Sequence, residues 1–307
     1  MRFFARNPRL VHERPQTLRL AEHIESHCSN LRRERIRNRA LPMTNNISIE
    51  RDGNVVRVTL NRPERLNAMT VELLAELRAA ADSIAGDQSV RVAIITGAGR
   101  GFCAGADLTA HDQPTEPNQT RGDRTRDRLD KHFNPTALAW YELPVPVIAA
   151  VNGVAAGAGV SLALTADIVV AARSASFIQV FAPKLGLIPD AGATFHVPRL
   201  IGAARAKGLA LLGEKLSAER AAEWGLIWEC VDDDMLMATV NEYARTLAEG
   251  PTRAFAAVKS IYNASTGTLR EQMAIEAKVQ GELANGEDFA EGVAAFLQKR
   301  PAQFKGR

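Results

Sequence analysis

Residues 143–166 read LPVPVIAAVNGVAAGAGVSLALTA, twenty-four positions without a charge. Such a run invites a membrane-spanning helix, but its makeup argues against one. Pro144 and Pro146 stand at its start, Asn152 and Gly153 break its middle, and much of the remainder is alanine and glycine, too weakly apolar for lipid. The better reading is a buried strand over Val145–Val151, a glycine-rich turn, and a buried helix over Ala158–Leu164. A strand that feeds a helix through glycines points to an α/β fold, and the flanking sequence extends it.

Upstream, Ile47–Arg51 and Asn54–Leu60 flank Asp52-Gly53, the dipeptide that a tight hairpin turn requires. Thr70 is placed to cap an amphipathic helix carrying Val71, Leu74, Leu77, Ala81 and Ile84 on one face. Arg91–Thr96 reads as a short apolar strand, residues 109–125 as a polar loop, and Arg126–Glu142 as a helix. Asp167–Ala172 supplies another strand. From about Ala203 the chain reads as successive helices, one of them starting at Pro251 with Lys259 on its polar face. These features predict an α/β core over 43–202 and a helical region over 203–307.

The chain holds 307 residues with a net charge of +3, unevenly placed. Residues 1–42 carry ten arginines, no lysine and four acids, so the remainder is mildly acidic at −3. That body offers no basic footprint for nucleic acid. The head has no sustained periodicity, no apolar core of a secretory signal, and four acids that fit an organelle leader poorly. The reading adopted is a disordered or artefactual extension, with translation starting at Met43. Cys28, Cys103 and Cys230 are too scattered for a disulfide framework or a zinc cluster, so a cytoplasmic setting is expected. His111 and His196 lack metal-ligand spacing, and no metal site is expected.

Three glycine-bearing segments bear on chemistry. Gly97-Ala98-Gly99-Arg100-Gly101-Phe102 follows a strand but lacks the third glycine and apolar helix of a dinucleotide fingerprint, so it reads as a tight turn. Phe102–Leu108 and Asn152–Gly159 each follow an apolar strand and expose unencumbered backbone N–H groups. The second also opens a helix, whose positive end favours developing negative charge. Two such N–H groups aimed at one point make an oxyanion hole.

With Asn61-Arg62-Pro63-Glu64-Arg65-Leu66-Asn67-Ala68-Met69, the Ala104–Leu108 segment, Val151–Gly159 and Leu187-Ile188-Pro189-Asp190-Ala191-Gly192, the chain resembles the crotonase (enoyl-CoA hydratase/isomerase) superfamily from about Met43 to Phe304. It is most similar to the ring-1,2-epoxyphenylacetyl-CoA isomerase and enoyl-CoA isomerase branch. The resemblance implies a crotonase-like spiral of ββα units with a C-terminal helical trimerisation region, a homotrimer or homohexamer, and acyl-CoA thioester substrates with no further cofactor. It implies oxyanion donors at the N–H of Ala106 and of Ala158, where the family usually has glycine. It places substrate contacts at Arg65, Leu66, Ala104, Asp107 and Lys299. Neither nucleic acid nor membrane is an expected partner.

The two glutamates that activate water in hydratases of this family fall on Ser161 and Ala182, neither of which can act as a carboxylate base. Asp190 remains, matching the aspartate that shuttles the proton in the isomerase branch. It also fits an N-cap of a helix beginning near Ala191, and the two roles can coexist. Cys103 reads as a small buried thiol. The expected activity is double-bond isomerisation of an acyl-CoA. Hydration in the broad sense, a hydrolase or dehalogenase using Asp190 as nucleophile, and a non-catalytic acyl-CoA-binding homologue are the alternatives.

Overall fold

The computed structural model describes residues 46–110, 119–264 and 267–306. The basic head, His111 and residues 111–118 of the expected polar loop lie outside the described residues. Residues 44–266 and 275–307 form one compact unit, while 267–274 group separately.

The hairpin forms as the Asp-Gly turn requires: β1 (Ile47–Asp52) pairs antiparallel with β2 (Val55–Leu60), and Gly53 adopts φ +57°. Helix α1 (Val71–Gly86) begins at Thr70, whose side chain accepts the N–H of Leu73, and it buries Leu73, Leu74, Leu77, Ala80, Ala81 and Ile84. After it come β3 (Val92–Gly97) and β4 (Gly101–Cys103), then α2 (Arg121–Arg128), a π-type turn over Leu129–Phe133, and α3 (Asn134–Tyr141). Helix α2 starts five residues before the expected Arg126. Its sequence, RGDRTRDR, has no apolar stripe, so no periodicity announces it; the Thr120–Asp123 capping box does the positioning instead. Trp140 is fully buried and donates its indole N–H to the Leu77 carbonyl at 3.1 Å, joining α3 to α1.

The uncharged stretch becomes β5 (Val147–Val151), β6 (Val154–Ala156) and α4 (Ala158–Ala163), all but Val154 buried. Among the described residues no helix is long and apolar enough to cross a membrane. Then follow β7 (Ile168–Ala172), β8 (Ser176–Ile178), a π-type turn over Phe181–Leu185, and α5 (Ala193–Leu212), which kinks at Gly202. The region read as purely helical contains two short strands, β9 (Lys215–Ser217) and β10 (Glu229–Val231), around α6 (Ala218–Trp224). Helices α7 (Leu236–Glu249), α8 (Thr252–Ala264), α9 (Leu269–Ala284) and α10 (Glu287–Gln298) complete the chain.

The strands divide between two sheets. One has the order β1-β2-β3-β5-β7-β10, the other β4-β6-β8-β9. From β3 to β8, each strand of the first sheet is followed by one of the second, so the chain spirals and delivers one strand to each layer per turn. Pairing is parallel apart from β1–β2 and β8–β9. Strands β3 and β5 are buried along their whole length, and α7 covers β3, β5 and β7 with Leu236, Val240 and Ala244.

Lys259 departs from the sequence expectation. It is only 9% exposed, and its ammonium meets the Asp167 carboxylate at 2.9 Å, near the Val145 carbonyl. The aliphatic stem packs inside while the charge finds a partner, so the polar-face reading is corrected. Burial pushes the Asp167 carboxyl up and the Lys259 amine down, each against the pull of the other.

Candidate active site

The three glycine-bearing segments converge. Asn67, fully buried, accepts the Arg62 N–H through its side-chain oxygen and donates to the carbonyls of Ala98 and Gly101 at 3.0 and 2.8 Å. Asn152 accepts the Gly97 N–H and donates to the Gly99 carbonyl. These two amides hold the turn after β3 in place, as tight-turn readings of Gly97–Phe102 require. Leu66 and Asn67 both sit at positive φ, and the Leu66 carbonyl accepts the N–H of Ala104 at 2.9 Å. Two of the expected substrate contacts are thereby brought together, with Arg65 exposed beside them.

Ala106 forms a parallel bridge with Met69. Met69 donates to Gly105 and accepts from Asp107, so the N–H of Ala106 lies outside this ladder. Ala158 is the first residue of α4, and its N–H has no carbonyl a turn earlier to bond. The two segments touch. Gly105, at φ +94°, lies so near that a Cβ there would come within 2.7 Å of the Ala156 carbonyl and 3.3 Å of the Ala158 nitrogen. A Cβ on Gly159 would collide with the Cys103 carbonyl. Glycine at these places lets two backbones close to a distance that any side chain would forbid.

Asp107 is buried and its carboxylate is engaged: Arg62 reaches one oxygen with two nitrogens at 3.1 Å, and Thr109 donates to the other. The Thr109 hydroxyl and the Arg62 guanidinium hold this carboxyl below its ordinary value despite burial. Cys103 donates its thiol to the Asn67 carbonyl at 3.2 Å, and burial pushes the thiol up to about 12. Lys299 ends α10 at φ +52° and is exposed; among the described residues no hydrogen bond or ion pair joins it to the other nominated residues.

Asp190 presents a different chemistry. Helix α5 begins at Ala193 with Gly192 as its cap, and no side chain caps it. The N-cap alternative for Asp190 therefore fails: its backbone carbonyl, not its carboxylate, accepts the Ala193 N–H. One carboxylate oxygen, Oδ1, is buried with no hydrogen-bond partner. Desolvation raises the carboxyl to about 6. The turn that carries it is strained, with Ala191 at φ +48°. Ser161, fully buried on α4, donates its hydroxyl to the Asp190 carbonyl at 2.8 Å. The sequence reading used Ser161 only as the place where a carboxylate is missing; here it ties the Asp190 turn to the helix that begins with Ala158. Ala182 lies in the π-type turn, and a Cβ on Gly157 would meet Val180 and Phe181, at the start of that turn, at 3.4 and 3.6 Å.

His196, one turn into α5, packs edge-on against Tyr141 and Phe195, and burial with the nearby Arg199 lowers it to about 4. A separate cavity of about 790 Å³ runs past Tyr141, Asp167, His196 and Lys259, and contains none of the nominated site residues.

Comparison with known proteins agrees with this architecture. The chain is 49% identical over 255 residues to the 1,2-epoxyphenylacetyl-CoA isomerase of Escherichia coli K12, covering 82% of this chain and 95% of that one. It is 47% identical over 251 residues to a Rhodobacter capsulatus protein named "Probable enoyl-CoA hydratase", covering 81% and 94%. The crystal structure of an enoyl-CoA hydratase from Bacillus anthracis superposes with a TM-score of 0.79 at 34% identity, covering 85% of this chain and all of that one. A sequence profile described as enoyl-CoA hydratase/isomerase matches residues 50–307. With the alternating two-sheet spiral and the paired glycine-rich turns, these matches establish that the chain belongs to the enoyl-CoA hydratase/isomerase family, the crotonase superfamily.

Proposed function

We propose that the protein is an acyl-CoA isomerase that moves a double bond by proton transfer through Asp190. The observation that carries this reading is the Asp190 carboxyl, partly buried, unpartnered at Oδ1 and raised to about 6, in a chain whose hydratase-type positions hold Ser161 and Ala182. A carboxylate of that kind is a stronger base than a solvated one and still ionised at neutral pH.

The N–H groups of Ala106 and Ala158 take the thioester oxygen. As Asp190 removes a proton from the carbon between the thioester and a 3,4 double bond, the electron pair delocalises into a dienolate whose charge rests on that oxygen. The protonated Asp190, whose proton trades with solvent during the lifetime of the dienolate, then delivers a proton to the far carbon, giving the conjugated 2-enoyl thioester. The proton balance closes without a cofactor. One oxyanion donor supplies about 3 kcal/mol of such a barrier reduction. Arg65, Leu66, Ala104, Asp107 and Lys299 are assigned to the CoA portion. For Asp107 the carboxylate is already engaged by Arg62 and Thr109, so any contact of its own falls to the backbone carbonyl. A homotrimer or homohexamer is the proposed assembly, supported by the exposed apolar side chains of Leu211, Leu212, Trp228 and Tyr262.

A 49% relative named as an isomerase of an epoxide-bearing acyl-CoA supports the isomerase reading, while the 47% relative named as a hydratase keeps hydration as the second reading. Asp190→Asn separates them. With 3-enoyl-CoA and 2-enoyl-CoA in deuterated solvent, the wild type should isomerise and exchange the α proton, and the variant should do neither. Isomerisation surviving in the variant would overturn the assignment.

A further inference from the structure

One ion pair beside these turns has no part in the machinery above. Arg62 and Asp107 are forty-five positions apart, and their side chains meet at 3.1 Å while only 18% and 8% exposed. Taking two charges out of water costs about as much as their attraction returns, so such a pair is better explained by the geometry it imposes than by stability. The Arg62 end is fixed by its own backbone. Its carbonyl accepts the N–H groups of Arg65 and Asn67 at 3.0 and 2.9 Å, and its N–H donates to the Asn67 side chain. The chain closes on itself there through a short 3₁₀ turn over Pro63–Arg65 and the left-handed Leu66 and Asn67. From that anchor the guanidinium makes a bridge. One nitrogen serves both the Ala68 carbonyl and Asp107 Oδ2, and a second reaches Oδ2 alone.

At the other end, Asp107 Oδ1 accepts the Thr109 N–H and hydroxyl at 3.1 and 2.6 Å. Ala106 lies between two residues that Met69 holds: the Met69 N–H bonds the Gly105 carbonyl at 2.7 Å, and the Met69 carbonyl accepts the Asp107 N–H at 2.9 Å. The Gly105 carbonyl and the Ala106 N–H belong to one planar trans peptide unit, so they point in opposite directions. Bonding that carbonyl to Met69 therefore turns the Ala106 N–H away from the seam. The Arg62 bridge spans the same seam, from Ala68, the residue before Met69, to Asp107, the residue after Ala106.

We infer that Arg62 is a positioning residue for the oxyanion donor at Ala106: by clasping the Asp107 carboxylate and the Ala68 carbonyl together it locks the Met69–Ala106 seam and so sets the direction of the Ala106 N–H. This rests on the reading of that N–H as a donor to the thioester oxygen. The competing role for the guanidinium is direct contact with a phosphate of CoA, which the same experiment tests.

Arg62→Met removes the bridge, and Arg62→Lys keeps the charge without the two-pronged geometry. The double variant Arg62→Met with Asp107→Asn leaves no unpaired buried charge, should the single one fail to fold. A saturated acyl-CoA with an isotopically labelled thioester carbonyl is bound to each protein, and infrared difference spectroscopy reads the carbonyl stretch, which aligned N–H donors lower. Calorimetry with a CoA thioether, which lacks that carbonyl, reads binding of the rest of the molecule. The wild type should lower the stretch. Arg62→Met and the double variant should lose at least half of that shift, with Arg62→Lys in between. Their kcat on a 3-enoyl-CoA should fall about thirtyfold, short of the roughly 10²-fold or more that loss of a whole donor costs, while thioether affinity stays within about twofold. A stretch that is not lowered in the wild type, or is equally lowered in the variants, overturns the inference. So does a loss of thioether affinity as large as the loss in kcat, which would assign Arg62 to CoA. The isomerase reading is tested separately: a wild type that lowers the stretch but exchanges no α proton of the 3-enoyl-CoA defeats that reading and leaves the role of Arg62 standing.

Discussion

The two halves of the site are built on opposite terms. In the segments around Asn67, Gly97–Asp107 and Asn152–Gly159, buried polar side chains are satisfied: Asn67 makes three hydrogen bonds, and the Asp107 carboxylate has both oxygens engaged. In the segment from Gln179 to Gly192, Gln179 and Asp190 both keep buried polar atoms without partners, and Ala191 sits at positive φ. The first half is stabilised by its polar groups. The second is destabilised by them, and that is where the proposed base, Asp190, stands. The contrast separates scaffold from chemistry inside one site: rigid donors can be fully wired through their side chains, whereas a proton carrier must keep an oxygen available.

The largest effect that could break this contrast is on rate. Asp190→Asn should lower kcat for isomerisation by about 10³-fold, within the range expected when a general base is removed, and kcat/KM of the wild type should fall below an apparent pKa of about 6. A profile flat down to pH 4.5 would mean that another group carries the proton.

Next in size is the scaffold side. Asn67→Ala leaves the Arg62 N–H and the carbonyls of Ala98 and Gly101 without their partner, and should cost about 3 kcal/mol in urea unfolding. Asp190→Asn should change stability in the opposite direction. Because the folded-state pKa is raised to about 6 from 3.8, the native state holds this proton more tightly than the unfolded chain. Wild-type stability contributed by this group is therefore present at low pH and lost as pH rises from about 4 to about 6. The asparagine variant should be the more stable by about 2 kcal/mol at pH 7, with the difference shrinking to near zero at pH 4. Equal stability at pH 7 would place Asp190 among the satisfied groups.

The smallest effect tests the tie between the halves. Ser161→Ala removes the hydroxyl held by the Asp190 carbonyl. It should lower kcat about tenfold, with KM and the apparent pKa little changed, since the base remains but its turn is less well fixed. A shift in KM alone would assign Ser161 to binding instead.

How much of this was legible depended on element length and on partners. The Asp52-Gly53 turn and the Thr70 cap are local chemistry, so the sequence announces them. The segments around Gly105 and Gly159 were legible as glycine-bearing turns after strands, because the fold needs small residues where they meet neighbouring backbone. Strands β4, β6, β8 and β9 have three residues each, too few for alternation to show. Helix α2 is polar all round and gives no 3.6-residue signal. Lys259 looked like a surface lysine because nothing nearby in sequence marks Asp167 as its partner, ninety-two positions away. Gln179 was overlooked for a related reason. A lone glutamine at the end of the apolar run Phe177-Ile178 signals nothing until the absence of a partner around it can be seen.

The contact between Gly159 and the Cys103 carbonyl has a practical corollary for altering substrate range. That junction leaves no room for a side chain, so a randomised library there would return mainly unfolded clones. Residues 183–188, by contrast, are exposed, so diversity directed to them meets no such collision and leaves Asp190 in place.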